Sequence, residues 1–150
     1  ILKDTNFENL SDELSNLGSK LILKSIDLIE NKKDKYIDQD ESQASYAKKV
    51  EKSEAKINWS EKAKFVLAKI NALNPNPGSW FEYKGSRLKI IKAIEVEQLG
   101  KPGQIMNDKF TIACSENAIQ ILEIKKEGKK GMPVSEYLKG NELIIGTNVA

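Results

Sequence analysis

The sequence predicts an α+β protein: a small, partly open β-barrel with one or two helices, preceded by a solitary helix and a linker. Three observations predict it. Apolar residues recur at helical spacing near the amino end and again from Ala63 to Leu73. After Asn74-Pro75-Asn76-Pro77-Gly78 the period changes to two and persists through several short segments. Between the two helical stretches lies a polar run with no periodicity.

The first helix starts at Thr5-Asn6-Phe7-Glu8, the T-x-x-E pattern of a capping box, with Thr5 as the expected N-cap. Leu10, Leu14, Leu17 and Leu21 form one apolar stripe, and Ile22, Ile26 and Ile29 form a second. So broad an apolar surface requires a large partner, and none is encoded nearby. The expectation is that residues 1–31 belong to a domain whose remainder lies upstream. The chain starts at Ile1, with Met106 and Met132 its only methionines, which also points to an excerpt of a longer protein.

Residues 32–56 read as a linker draped over the surface, with Lys48, Lys49, Lys52 and Lys56 crowding its far end. Residues 57–150 read as the barrel module. Its helix has Ser60 as the expected N-cap and Ala63, Val66, Leu67, Ile70 and Leu73 on one face. The two prolines and Gly78 stop it.

Ser79–Lys84 and Arg87–Glu97 then read as strands joined by a tight Gly85-Ser86 turn. In the longer one, Leu88, Ile90, Ile94 and Val96 share a face, with Ile91 and Ala93 opposite. That mixed phase suits a strand bending through a barrel corner. Gln104–Asn107, Phe110–Ser115 and Ala118–Lys125 complete five strands. Pro133–Lys139 reads as a short closing helix with Gly140 past its end. Five strands and one such helix match a partly open barrel of the oligonucleotide-binding kind.

The residue inventory excludes much chemistry. With no histidine, the Ser-His and Cys-His nucleophile pairs and most transition-metal sites are gone. A single Cys114 makes no internal disulfide; it alternates with Phe110 and Ile112, as a buried structural thiol would. The glycine-flanked turns at Gly100–Gly103 and Gly128–Gly131 match no phosphate-cradling fingerprint. Glu95 and Glu97 read as part of a solvated face. No catalytic residue, metal site or cofactor site is expected in this chain. No apolar run approaches the roughly 18–20 residues of a membrane span, and a cytoplasmic setting is expected.

Charge is unevenly spread. Ile1–Ala47 holds six Lys against ten Asp/Glu, net −4, and Lys48–Ala150 holds eighteen Lys/Arg against twelve Asp/Glu, net +6. A basic module is a pointer to a polyanion. Candidates for phosphate contact are the linker lysines Lys48, Lys49, Lys52 and Lys56, then Lys125, Lys126, Lys129 and Lys130 around Gly128. Arg87, Lys89 and Lys92 on the long strand are further candidates. Spacing alone also fits lysines that only keep a surface soluble, and by itself favours that reading. Trp59, Trp80, Phe81 and Tyr83 are candidates for base stacking, but core packing is the preferred reading; Trp80 and Phe81 alternate, so at least one should point inward.

Several stretches together resemble the methionyl-tRNA formyltransferase family. Asp4-Thr5, Leu10, Leu14-Ser15-Asn16-Leu17-Gly18 and Leu21 resemble the last helix of that family's catalytic domain, an α/β unit. Gln39–Lys49 resembles its linker, and Glu54-Ala55-Lys56-Ile57-Asn58-Trp59-Ser60 the lead-in to its second domain. Asn74–Phe81, Leu88-Lys89-Ile90, Ala93, Pro102-Gly103, Glu127–Met132, Leu138 and Gly140 continue in order. The family often carries Trp where Asn76 stands here.

The resemblance implies a second domain with an oligonucleotide-binding-like barrel. It also implies a parent enzyme that moves a formyl group from formyl-tetrahydrofolate to the methionine amino group of initiator tRNA. The Asn, His and Asp that do the chemistry, and the loop that distinguishes initiator tRNA, would precede this chain. The chain is then expected to be inactive alone and to grip tRNA non-specifically, with Lys48, Lys49, Lys129 and Lys130 favoured as phosphate contacts. Two other readings stay open. The first is the same domain from another folate-dependent formyltransferase or formyl hydrolase, which upstream residues would distinguish; the basic linker favours tRNA. The second is a stand-alone nucleic-acid-binding barrel, against which the unpartnered first helix argues.

Overall fold

The computed structural model describes residues 5–149; Ile1, Asp4 and Ala150, which entered the readings above, lie outside them. Helix α1 spans Phe7–Glu30, α2 Ala63–Leu73 and α3 Val134–Lys139. The strands are β1 Trp80–Tyr83, β2 Ser86–Val96, β3 Thr111–Ala113, β4 Ala118–Lys126 and β5 Met132–Pro133. The chain is α+β, as expected, with one open, antiparallel five-stranded sheet.

Helix α1 is capped by Asn6, not Thr5: the Asn6 side chain accepts from the Asn9 amide at 2.8 Å. Asn is as good a cap as Thr and stands one residue nearer the first turn. The helix ends in a Schellman arrangement, with Lys32 left-handed and the Lys33 amide donating to the Leu28 carbonyl. No residue of α1 is buried; Phe7, Leu14, Leu17, Leu21, Ile22, Ile26 and Ile29 all face solvent. From Lys35 to Glu51 the chain runs exposed, with one 3-10 turn at Glu41–Gln43 held by the Asp40 carboxylate.

The core begins at Ala55. Helix α2 buries the five residues expected of it. Its N-cap position is Lys62, not Ser60, and lacks a side-chain cap. A tertiary contact serves instead: the Ala63 amide donates to the Glu116 carbonyl, and Lys62 pairs with the Glu116 carboxylate. Past Leu73, Asn74 is buried and its side-chain amide donates to the Ile91 carbonyl, tying the proline loop to β2.

The β1–β2 turn is Lys84-Gly85 rather than Gly85-Ser86. Both residues have positive φ, 48° and 70°, as a two-residue turn matched to strand twist requires. The register that follows pairs Trp80 with Lys89, Phe81 with Leu88 and Glu82 with Arg87. In β2 an irregularity between Ile90 and Ala93 shifts the alternation. Leu88, Ile90 and Ala93 therefore face the core, while Ile94 turns outward and Val96 is only half-buried. The mixed phase of this strand corresponds to that shift in register, and its inward set changes there.

Gln104–Asn107 is not a strand. Gln104 and Ile105 make single bridges, to Asn148 and Ile112. The fifth strand is Met132–Pro133, which takes over the β4 edge where β3 leaves it. The carboxyl-terminal segment lies between sheet edges: the Ile144 amide donates to the Tyr83 hydroxyl, and the Ile105 amide to the Thr147 carbonyl. These contacts give the open sheet its barrel-like form. Inside, Phe110 stands in an aromatic cluster, with ring centroids 5.8 Å from Phe81, 5.7 Å from Tyr83 and 6.1 Å from Tyr137. Trp59 packs edge-on to Phe81 and is buried, a core role as preferred.

A cationic cleft around Trp80

Alternation in β1 sends Phe81 inward and leaves Trp80 half-buried on the outer face. Trp80 pairs with Lys89, and Lys89 pairs in turn with Lys125 on β4, so the three form one cross-strand row. Arg87 stands two residues before Lys89, diagonal to Trp80, within reach of a long side chain. Its guanidinium carbon lies 3.8 Å from the Trp80 ring centroid. Lys56 arrives from outside the hairpin: it bridges to Trp80 in parallel along the free edge of β1, and its Nζ lies 5.5 Å from the same centroid.

Trp80, Arg87, Lys89 and Lys125 border a cleft of about 430 Å³, which Lys52 and Lys126 also line. The loop residues Asn76, Pro77 and Gly78 form one wall, and Glu127 is the carboxylate on the lining. Gly78 has φ +80°, and a Cβ there would press within 3.2 Å of both the Lys89 Cδ and the Pro75 carbonyl, so glycine keeps that wall thin. Lys89 Nζ donates to the Pro77 carbonyl at 2.7 Å, bracing the loop. Among the described residues no ion pair involves Lys52, Lys56, Arg87, Lys89, Lys125 or Lys126. Their charges are uncompensated at close range.

Of the cations named from sequence, Lys52, Arg87, Lys89, Lys125 and Lys126 line this cleft, and Lys56 lies over the Trp80 ring. Lys129 and Lys130 follow in the exposed β4–β5 turn, where the Lys129 amide donates to the Lys126 carbonyl. Lys48 and Lys49 lie upstream on the exposed segment and do not line the cleft. Lys92 is exposed within the bulge. Sequence reasoning leaned toward core packing for Trp80 and did not identify Asn76, Pro77 and Gly78 as a wall. The signal for Trp80 was present in the hairpin: a Lys84-Gly85 turn places it opposite Lys89 and diagonal to Arg87.

Other chemistry is sparse. Among the described residues, no group of three or more His, Cys, Asp or Glu is placed to share a metal ion. No described helix is long and apolar enough to cross a membrane. Cys114 is buried, and burial, reinforced by Glu95 and Glu61, pushes its thiol up to about 12. At about pH 8 the thiolate is scarce and shielded, so a disulfide reagent should leave the folded chain unlabelled and label it fully in denaturant. Rapid labelling of the native chain would contradict the packing described.

Comparison with known proteins gives this arrangement a context. The model of the formyl transferase C-terminal domain family matches residues 49–142. A methionyl-tRNA formyltransferase from Pelagibacter ubique (strain HTCC1062) is 37% identical over 150 residues, covering 99% of this chain and 48% of the relative. One from Bradyrhizobium diazoefficiens is 37% identical over 142 residues, 92% of this chain and 46% of the relative. The chain spans about half the length of the curated relatives it matches.

Among solved structures, a variant of HypX from Aquifex aeolicus superposes with a TM-score of 0.68 at 20% identity, covering 98% of this chain and 30% of that one. HypX in complex with tetrahydrofolic acid gives 0.61 at 23%, covering 85% and 26%. At such identities the likeness is one of fold. The matched span contains the cationic hairpin, the proline loop and the aromatic core together, and the chain belongs to the formyl transferase C-terminal domain family.

Proposed function

We propose that this chain is the tRNA-gripping carboxyl-terminal part of a methionyl-tRNA formyltransferase, and that the cleft around Trp80 is its phosphate-binding surface. The observation that carries this is the gathering, at one cleft, of cations from three separate segments, none of them in an ion pair among the described residues. Clustered cations bind a nucleic-acid backbone by releasing its condensed counterions, and need no catalytic motif to do so. The names of the relatives supply the nucleic acid: tRNA charged with methionine.

On this reading the whole protein transfers a formyl group from formyl-tetrahydrofolate to methionyl initiator tRNA in the cytoplasm. The chemistry belongs to the part of its relatives that this chain does not match, and the 150 residues alone are inactive. Residues 1–31 are the last helix of the catalytic domain, which explains an apolar face with no cover. Residues 32–56 are the linker, and 57–150 the barrel. Lys48, Lys49, Lys129 and Lys130 extend the grip beyond the cleft along a large ligand. Titrating labelled initiator tRNA with this chain at about 50 and 200 mM salt should show binding that weakens steeply with salt. Equal affinity at both would end the reading.

A further inference from the structure

We propose that Trp80 is a positioning residue for a backbone phosphate: it holds the Arg87 guanidinium flat on its indole, so that Arg87 and not the ring meets the ligand. The inference rests on the cleft's being a nucleic-acid surface and names how one contact in it is made.

Two geometries are open to a half-buried tryptophan in a cationic cleft. A bare ring can stack on a base. A ring already covered by a guanidinium cannot offer that face. Here Arg87 lies 3.8 Å from the centroid, at stacking distance. The ring is half-buried, fixed in β1 by pairing with Lys89 on one side and by the Lys56 bridge on the other. The Arg87 guanidinium is exposed and, among the described residues, makes no hydrogen bond or ion pair.

A guanidinium laid flat on an aromatic plane keeps its N–H donors in that plane, pointing past the ring edge. Five donors in a rigid fork match two phosphate oxygens at once. Held there by the ring's electron-rich face, the side chain loses less rotamer freedom on binding than a free arginine would. Lys125 and Lys126, on the opposite side of β2, add charge without that geometry. The ligand chemistry is therefore a phosphodiester, supplied by a nucleic-acid backbone.

The test titrates the full 150-residue chain with labelled tRNA, and separately with inorganic polyphosphate, which has no bases, over a range of salt. Arg87→Ala should flatten the slope of log affinity against log salt by about one. Trp80→Leu should weaken both ligands about threefold and leave the slope unchanged, since no charge is removed. Trp80→Phe keeps a ring beneath the guanidinium and should recover most of the loss; this variant also guards against a folding defect in Trp80→Leu. In the Arg87→Ala background, Trp80→Leu should cost nothing more. A loss that persists in that background, or one seen with tRNA but not polyphosphate, would make the ring a base platform and overturn the proposal. So would Trp80→Leu and Arg87→Ala variants that both bind as the parent does. If the parent binds neither polyanion, the tRNA reading falls first and this inference falls with it.

Discussion

Replacing Arg87, Lys125 and Lys126 together with glutamine is expected to reduce tRNA affinity by well over an order of magnitude at low salt. Each phosphate contact contributes about 0.9 to the slope of log affinity against log salt, so losing three should flatten it by about 2.7. The three were chosen because none has an ion-pair partner among the described residues, so their removal breaks no such pair. Lys89 is left in place because it braces the Pro77 carbonyl. Exposed substitutions of this kind change stability by only about 0.5 kcal/mol either way, so the thermal midpoint should hold. An unchanged slope with a folded triple variant would mean that the cleft does not meet phosphate. The same replacement at Lys62 and Lys139, which are already paired with Glu116 and Glu136, should leave the slope nearly as it was.

The second large effect concerns the core. Phe110→Ala should cost about 3–5 kcal/mol, a sizeable part of the roughly 5–15 kcal/mol that holds a domain folded. Phe110 is fully buried and its ring touches those of Phe81 and Tyr83 on β1 and of Tyr137 on the closing helix. Elements meeting from different directions cannot all collapse into the space a ring leaves, so most of the cavity cost remains. Urea unfolding should show a lower midpoint with the slope preserved. Ile94→Ala provides the contrast: Ile94 is 40% exposed, and its truncation should change stability by less than about 0.5 kcal/mol. Comparable losses at the two positions would contradict the bulge in β2.

Much of this fold could be read from local pattern. The α2 face was legible because five apolar residues repeat at one period and the prolines end it. The hairpin was legible because alternation and a glycine turn occur within a few residues. The errors share one cause. Ser60 has the right side chain for a cap, but the Glu116 backbone, far along the chain, supplies the partner. Gln104–Asn107 alternates like a strand, yet it makes only single bridges, Gln104 to Asn148 and Ile105 to Ile112. Ile94 sits in phase with Leu88 and Ile90 until a bulge, whose position the mixed phase does not give, moves it outward.

The site divides the same way. By itself the sequence determined which side chains could carry the function: basic residues in quantity, no histidine, one inert thiol, and tryptophans beside a proline loop. Only the tertiary structure decided which of those lysines act together. Charge has no period, so nothing in the spacing of Lys52, Arg87 and Lys125 tells that they border one cleft while Lys48 and Lys49 do not. Strand register decides it, because pairing Trp80 with Lys89 and Lys89 with Lys125 brings distant charges into one row, and a shift of a single residue would send them to the opposite face.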